Sequence, residues 1–152
     1  METSNFNFLL LGDKNMETSE KMKGKITLIK PVLINGVEVK EMSYDFEEIT
    51  VEQFAQADAY KNQAQLTVTN ATKKASFAVA PQFDQTLQFY YAAFAILAVN
   101  QNWDIEDIRR IKGMDVMRLQ TLGANFIAAS VAEAQSNSDA QSVDIPENST
   151  QG

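Results

Sequence analysis

Residues 25–46, KITLIKPVLINGVEVKEMSYDF, contain two runs rich in β-branched residues that meet at Asn35-Gly36. An Asn-Gly pair is the strongest short signal for a two-residue hairpin turn, because both central positions of a type I′ turn need a positive φ. We therefore predict a β-hairpin whose strands cover residues 25–34 and 37–46.

Two positions predict an irregularity in this hairpin. Pro31 has no N–H to donate to a neighbouring strand, so it belongs at an edge or at a break in its strand. Met42 falls on the opposite side of its strand from Val39 although both are apolar, which indicates a bulge that resets the register.

The sequence after the hairpin has helical patterns. Thr50 and Gln53 have the spacing of a capping box, which predicts a helix to about Lys61 or beyond. The residues that follow, up to 83, are polar and weakly patterned. A short strand at 66–69 or 76–79 and a long loop are equally compatible with them.

From Asp84 onward, apolar residues recur at spacings of three and four, which predicts a helix that ends near Asn100. Its residues 89–99 are apolar almost all round, and such a helix has to be covered on both sides. We expect either a central core helix or a surface for a partner helix or a second copy. Trp103, just beyond its end, is expected to anchor the core.

Two further helices are predicted. Asp104 is placed to cap a short helix that Gly113 ends. Asp115 is placed to cap the last helix, which runs through about Ala132. Together the elements predict an α+β fold, in which an N-terminal β-hairpin packs with a small bundle of about four α-helices. We expect one domain over residues 24–134.

The two ends of the chain differ from this domain in composition. Residues 1–23 are polar and mixed in charge, apart from an apolar patch at Phe6 and residues 8–11, and we expect a flexible tail. Residues 135–152 have low hydrophobicity and an acidic bias, which predicts a disordered acidic tail. Much of the net charge of −7 lies at this end, because residues 133–152 hold four acids and no base.

Composition argues against several classes of function. The chain has no cysteine and no histidine, which excludes disulfides, thiol chemistry and ordinary zinc sites, and we expect neither a metal nor a cofactor. The longest apolar run, residues 89–99, is far shorter than the roughly 20 residues that span a membrane. No signal peptide is recognisable. We therefore expect no membrane association and a cytoplasmic location.

Groups able to carry catalysis are also scarce. The adjacent carboxylates at 47–48 and 106–107 are typical of a solvated face, and no nucleophile motif is present, so we expect no enzyme. Residues 104–126 have the spacing of a helix-turn-helix, but the acidic total disfavours phosphate binding, so we expect no nucleic-acid partner. The basic residues of this segment are Arg109, Arg110, Lys112 and Arg118.

Two segments carry a family resemblance: ITLIKPVLINGVEVKEMSYDFEEITVEQFAQAD at 26–58 and WDIEDIRRIKGMDVMRLQTLGANFI at 103–127. They resemble the tail assembly chaperones of long-tailed phages and prophages, of the Mu-like type. In the first segment, the family's proline step, turn glycine, helix-start threonine and following acid correspond to Pro31, Gly36, Thr50 and Asp58. In the second, the matching positions are Asp107, Ile108, Ile111, Asp115, Leu119, Leu122 and Phe126.

The resemblance implies a non-enzymatic function in the host cytoplasm. Chaperones of this kind bind the tape-measure protein, a long helical chain with apolar stripes, and keep it soluble until the tail tube assembles around it. The implied partners are the tape-measure protein, further copies of the same chain and, as a second candidate, the tail-tube protein. A structural tail component that is retained in the particle is the alternative.

A chaperone of a helical client needs exposed apolar surface, and two segments are candidates for helix-in-groove binding. One is the helix at 89–99 and the other is the stripe at 119–126. The predicted partner-binding residues are Phe89, Tyr90, Phe94, Leu97, Trp103, Leu119, Leu122 and Phe126.

Overall fold

The computed structural model describes residues 22–72 and 80–139. Within these ranges, an antiparallel two-stranded hairpin and four α-helices confirm the predicted α+β fold. The strands are β1 (Lys23–Ile34) and β2 (Val37–Asp45), and the helices are α1 (Val51–Thr72), α2 (Gln85–Val99), α3 (Ile105–Ile108) and α4 (Met114–Asp139). Short 3-10 turns occupy Phe46–Glu48 and Pro81–Phe83.

The hairpin turn is the one that the sequence predicts. Asn35 has a φ of 52° and Gly36 a φ of 78°, so both central residues are in the left-handed region. The side-chain amide of Asn35 also donates a hydrogen bond of 3.3 Å to the carbonyl of Asn102, which ties the turn to the end of the α2–α3 connection.

The predicted bulge lies in β1. Val32 pairs with Val39, whereas Thr27 pairs with Glu41, so β1 advances five residues while β2 advances two. The surplus residues of β1 include Pro31, which therefore stands at a break in the ladder as expected. Without partners in the neighbouring strand, backbone N–H groups in this bulge need another acceptor.

Asp115 supplies that acceptor. Its carboxylate accepts the N–H of Ile29 at 3.0 Å on both oxygens and the N–H of Lys30 at 2.9 Å. Arg118 donates to the same carboxylate at 3.1 Å and also to the carbonyl of Thr27. Asp115 was expected to cap its own helix, and this prediction is wrong, because the unpaired bulge of β1 lies directly against the first turn of α4.

The surroundings of Asp115 favour its charged form. The side chain is only 1% exposed. Burial by itself would raise the pKa of this carboxyl, but the N–H groups of Lys30 and Ile29 and the guanidinium of Arg118 outweigh burial and lower the pKa below its ordinary value. Asp115 is therefore ionised at neutral pH, and the backbone N–H groups and Arg118 compensate its charge.

Helix α1 begins as predicted and runs further than its sequence indicates. Thr50 accepts the N–H of Gln53 at 3.2 Å, and Gln53 accepts the N–H of Thr50 at 3.0 Å, which completes the capping box. The helix continues through Thr72, so the alternative of a strand at 66–69 is wrong. The β propensity of the residues at 67–69 is overridden by the continuation of the helix. Residues 76–79, the other predicted strand, lie outside the described part of the chain.

Helix α2 is the centre of the core. Asp84 caps it by accepting the N–H of Leu87 at 3.0 Å, and Asn100 ends it. The Asn100 amide donates to the carbonyl of Ile96 at 2.7 Å and to that of Ser43 in β2 at 3.0 Å, which fixes the helix end to the hairpin. Residues 92–96 are all buried. Of the two expectations for this apolar helix, the central core helix is the one observed.

Helices α2 and α4 cross at Gly123. A Cβ atom on Gly123 would lie 1.9 Å from the carbonyl oxygen of Gln88 and 2.8 Å from its Cα, both of which are backbone atoms. Only a residue without a side chain allows the two helices this close to each other. The separation of α2 and α4 is therefore set at one position.

The outer boundaries of the domain differ from those expected. Met22 is 9% exposed and belongs to the core, and β1 begins at Lys23, so residues 22 and 23 are not part of a tail. Helix α4 continues to Asp139, so the predicted tail boundary at 135 is wrong by five residues. The remaining parts of both predicted tails lie outside the described residues.

We expect Gly123→Ala to lower the free energy of unfolding by about 3 kcal/mol, because the added methyl group forces two packed backbones apart. Urea denaturation measures the change. Asn125→Ala, at an exposed position of the same helix, is the control and should cost less than about 0.5 kcal/mol. Equal stability of the two variants would show that α2 and α4 do not approach each other in this way.

Asp115→Asn should lower the free energy of unfolding by about 2 kcal/mol at neutral pH, because the charged acceptor of two backbone N–H groups is lost. The folded-state pKa of Asp115 lies below the unfolded-state value, so its stabilisation is present above about pH 4 and is lost as the pH falls further. The free energy of unfolding, measured by denaturation, should therefore change less between pH 7 and pH 3 for the variant than for the wild type. The control is Glu133→Gln, a substitution at an exposed position of α4. Its free energy of unfolding should change between pH 7 and pH 3 as much as that of the wild type.

Candidate functional site

Three of the predicted partner-binding residues lie inside the core. Tyr90 is 6% exposed, Phe94 is 3% exposed and Leu119 is fully buried. Tyr90 stacks on Tyr60 of α1 with ring centroids 5.3 Å apart. Because α1, α4 and the hairpin of the same chain cover these side chains, they expose little surface to a partner, and their role in binding stays a prediction.

The other five predicted residues, Phe89, Leu97, Trp103, Leu122 and Phe126, are partly buried and pack against the core. They do not share one surface. Leu97 and Trp103 line a groove of about 320 Å³ between α1, α2 and α3, with Phe94 at its wall and several glutamines around it. Leu122 lines a groove of about 290 Å³ between the hairpin and α4, beside Lys25 and Arg118.

Phe126 lines a third groove, of about 390 Å³, which α1, α2 and the second half of α4 form together. We refer to it as the apolar groove, and the six residues that define it are Phe54, Tyr91, Phe126, Ile127, Val131 and Ala134. Pro81 and Ser130 complete its lining, so none of the lining side chains carries a charge. Val131 is 46% exposed and Ala134 is also exposed, so this end of the groove opens to solvent.

Aromatic rings form the inner wall of the apolar groove. Phe126 stacks on Phe46 at 4.7 Å and lies 6.1 Å from Phe54, and Tyr91 meets Phe54 edge-on at 5.3 Å. Tyr91 also packs edge-on against Phe126 at 6.0 Å. These contacts join the hairpin end, α1, α2 and α4, so the wall is held in place by elements from the whole fold.

The outer wall follows from the periodicity of α4. Ile127, Val131 and Ala134 are spaced by four and three residues, which places them on one face over about 10 Å of helix. Sequence reasoning identified Phe126 but missed Val131 and Ala134. The same spacing is present in the sequence, because the stripe continues past Phe126, but small and polar residues between these positions weaken the pattern.

A charged pair lies close to Tyr91 and leaves the groove neutral. Lys61 of α1 and Asp84 at the start of α2 form an ion pair of 3.0 Å and are both largely buried. Burial raises the pKa of the Tyr91 hydroxyl, with Asp58 and Asp84 adding to the rise and Lys61 opposing it. Tyr91 is therefore a neutral phenol at physiological pH, and the groove is suited to an uncharged, apolar ligand.

Residues 22–72 and 80–139 contain no group of three or more side chains placed to hold a metal ion. Among the same residues, no helix is both long enough and apolar enough to cross a bilayer. In comparisons with protein-family models, curated proteins and solved structures, nothing matches this chain.

Proposed function

We propose that this chain is a phage tail assembly chaperone, which binds the tape-measure protein and keeps it soluble until the tail tube assembles. The apolar groove is the observation that carries the proposal, because it offers an uncharged, aromatic-walled surface to an apolar helix stripe. The resemblance of residues 26–58 and 103–127 to such chaperones supports the same function. The proposed activity is non-enzymatic and takes place in the host cytoplasm.

The dimensions of the groove suit a helical client. Its outer wall extends over about two turns of α4, which matches client side chains at positions i, i+3 or i+4, and i+7. Each large apolar side chain that the client buries contributes roughly 1.5–3 kcal/mol. Two or three such side chains give a modest affinity per site, because association itself carries a large entropic cost.

Modest affinity per site is an advantage for this function. A tape-measure protein offers many apolar stripes along one chain, so several copies of the chaperone, associating with one another, bind it by avidity. Each copy can still dissociate from the tape-measure protein on its own, when the tail-tube protein covers the segment to which that copy is bound. The tail-tube protein is therefore a second candidate partner, which displaces the chaperone.

Co-expression with the tape-measure protein tests the proposal directly. We expect the tape-measure protein to be soluble only when this chain is present, and size-exclusion chromatography should show several copies in the complex. The control is co-expression with an unrelated acidic protein of similar size. If this chain stays alone and is found instead in purified particles, the chaperone function is wrong and a structural tail component replaces it.

A matched pair of substitutions on α4 tests the groove. Val131→Asp places a charge in the apolar groove, whereas Ala132→Asp places the same charge at the next, exposed position outside the groove lining. We expect the first variant to bind the tape-measure protein at least about tenfold more weakly, because binding would bury an unpaired carboxylate. The second should bind as the wild type does. Equal binding by both variants would exclude the groove as the client site.

A further inference from the structure

We infer that the apolar groove has a ligand within the same chain, namely the N-terminal segment at residues 6–11, FNFLLL. These residues lie outside the described part of the chain, and they form its one strongly apolar patch before β1. The groove accordingly binds its own N-terminus in the free protein, in the place that an apolar partner later takes.

The point at which the N-terminal segment joins the domain lies next to the groove. Lys23 is the first residue of β1 and pairs with Asp45, the last residue of β2, which Phe46 follows in the chain. The ring of Phe46 stacks at 4.7 Å on Phe126, which is part of the groove wall. Eleven residues lie between Leu11 and Lys23, and a chain of that length spans at most about 40 Å. The segment therefore reaches the groove without difficulty.

The chemistry of the segment matches this groove better than the other two. Residues 3–12 carry no charge, and they include four consecutive apolar side chains at 8–11. The apolar groove is also uncharged along its lining. By contrast, the groove beside the hairpin contains Lys25 and Arg118, and the groove at Trp103 includes three glutamine amides among its lining side chains. Four extended residues cover about 13 Å, close to the two-turn length of the groove wall.

The tether favours binding within one chain over binding between copies. A short linker gives the attached segment an effective concentration in the millimolar range, which exceeds the concentration of a second copy in dilute solution. The apolar patch would also be a hazard if it stayed exposed, since contiguous apolar surface promotes association. Docking in the groove removes both apolar surfaces from water at once.

One consequence rests on the proposed function. If the groove binds the tape-measure protein, the client has to displace the N-terminal segment first. The free chaperone then does not bind other apolar chains nonspecifically. Only a client with many apolar stripes competes successfully with the N-terminal segment for the groove. Loss of the segment's apolar side chains should therefore strengthen client binding several-fold.

Site-directed crosslinking of the free, full-length protein tests the docking itself. The chain has no cysteine, so paired cysteines introduced at Asn7→Cys and Ser130→Cys are the only thiols. Ser130 lines the groove and is exposed. With a short bismaleimide at low protein concentration, we expect an intramolecular crosslink that forms at least about tenfold faster than in the control pair. The control pair is Asn7→Cys with Glu38→Cys, an exposed hairpin position that the same tether can reach.

Each outcome of the crosslinking decides the matter. A preferential crosslink within one chain supports the inference. Equal rates for the two pairs overturn it, and so does a product linked only between two chains, which identifies a second copy as the occupant. No client is present in this experiment, so its result does not depend on the proposed function. If the segment docks but the protein fails to bind the tape-measure protein, only the proposed function is refuted.

Amide hydrogen exchange gives a second test that needs no cysteine. The double variant Leu9→Asp/Leu10→Asp should release the segment and raise exchange several-fold in α4 at residues 127–134. The matched control Asn5→Asp/Asn7→Asp adds the same charge to the same segment but leaves residues 8–11 intact, and its exchange in α4 should rise less. Identical exchange in the wild type and the Leu9→Asp/Leu10→Asp variant would contradict docking.

Discussion

The carboxylate of Asp115 joins the two halves of this fold. It accepts two backbone N–H groups of the β1 bulge, more than 80 residues earlier in the chain, and stands in the first turn of α4. A buried carboxylate is unfavourable unless its oxygens are satisfied, and here two N–H groups and Arg118 satisfy them. Because α4 is a continuous helix, fixing its first turn also fixes the direction in which Phe126 and Val131 lie.

The second constraint is the close crossing of α2 and α4 at Gly123. The small residues of α2, Ala92, Ala93 and Ala95, are all buried, so α2 accepts neighbours closely on several sides. Once Gly123 sits against the backbone of Gln88, the next turn of α4 brings Phe126 among the aromatic rings of α1 and α2. The backbone contact at Gly123 thus positions Phe126 in the wall of the apolar groove.

Local signals account for what the sequence predicted correctly. The Asn35-Gly36 turn, the capping box at Thr50 and the cap at Asp104 each depend on residues within four positions, and all three are observed. The acceptor role of Asp115 toward β1 was not predictable, because it depends on which distant backbone lacks a partner. Periodicity marked Tyr90 as apolar in the same way as Phe126, and only the packing of α1 decides which of them is covered. The groove residues after 127 were missed because small and polar residues interrupt the apolar stripe there.

The contact that fixes the start of α4 lies apart from the open end of the apolar groove. Asp115 and Pro31, two positions that carry the family resemblance, act at the bulge and its contact with α4. Val131 and Ala134 line the open end of the groove and fall after about residue 130, to which the resemblance extends. Under the proposed function, the resembling segments build a common frame, and the second half of α4 decides which apolar stripe fits. On that proposal, substitutions at Val131 and Ala134 alter which client fits and leave the contact between the bulge and α4 undisturbed.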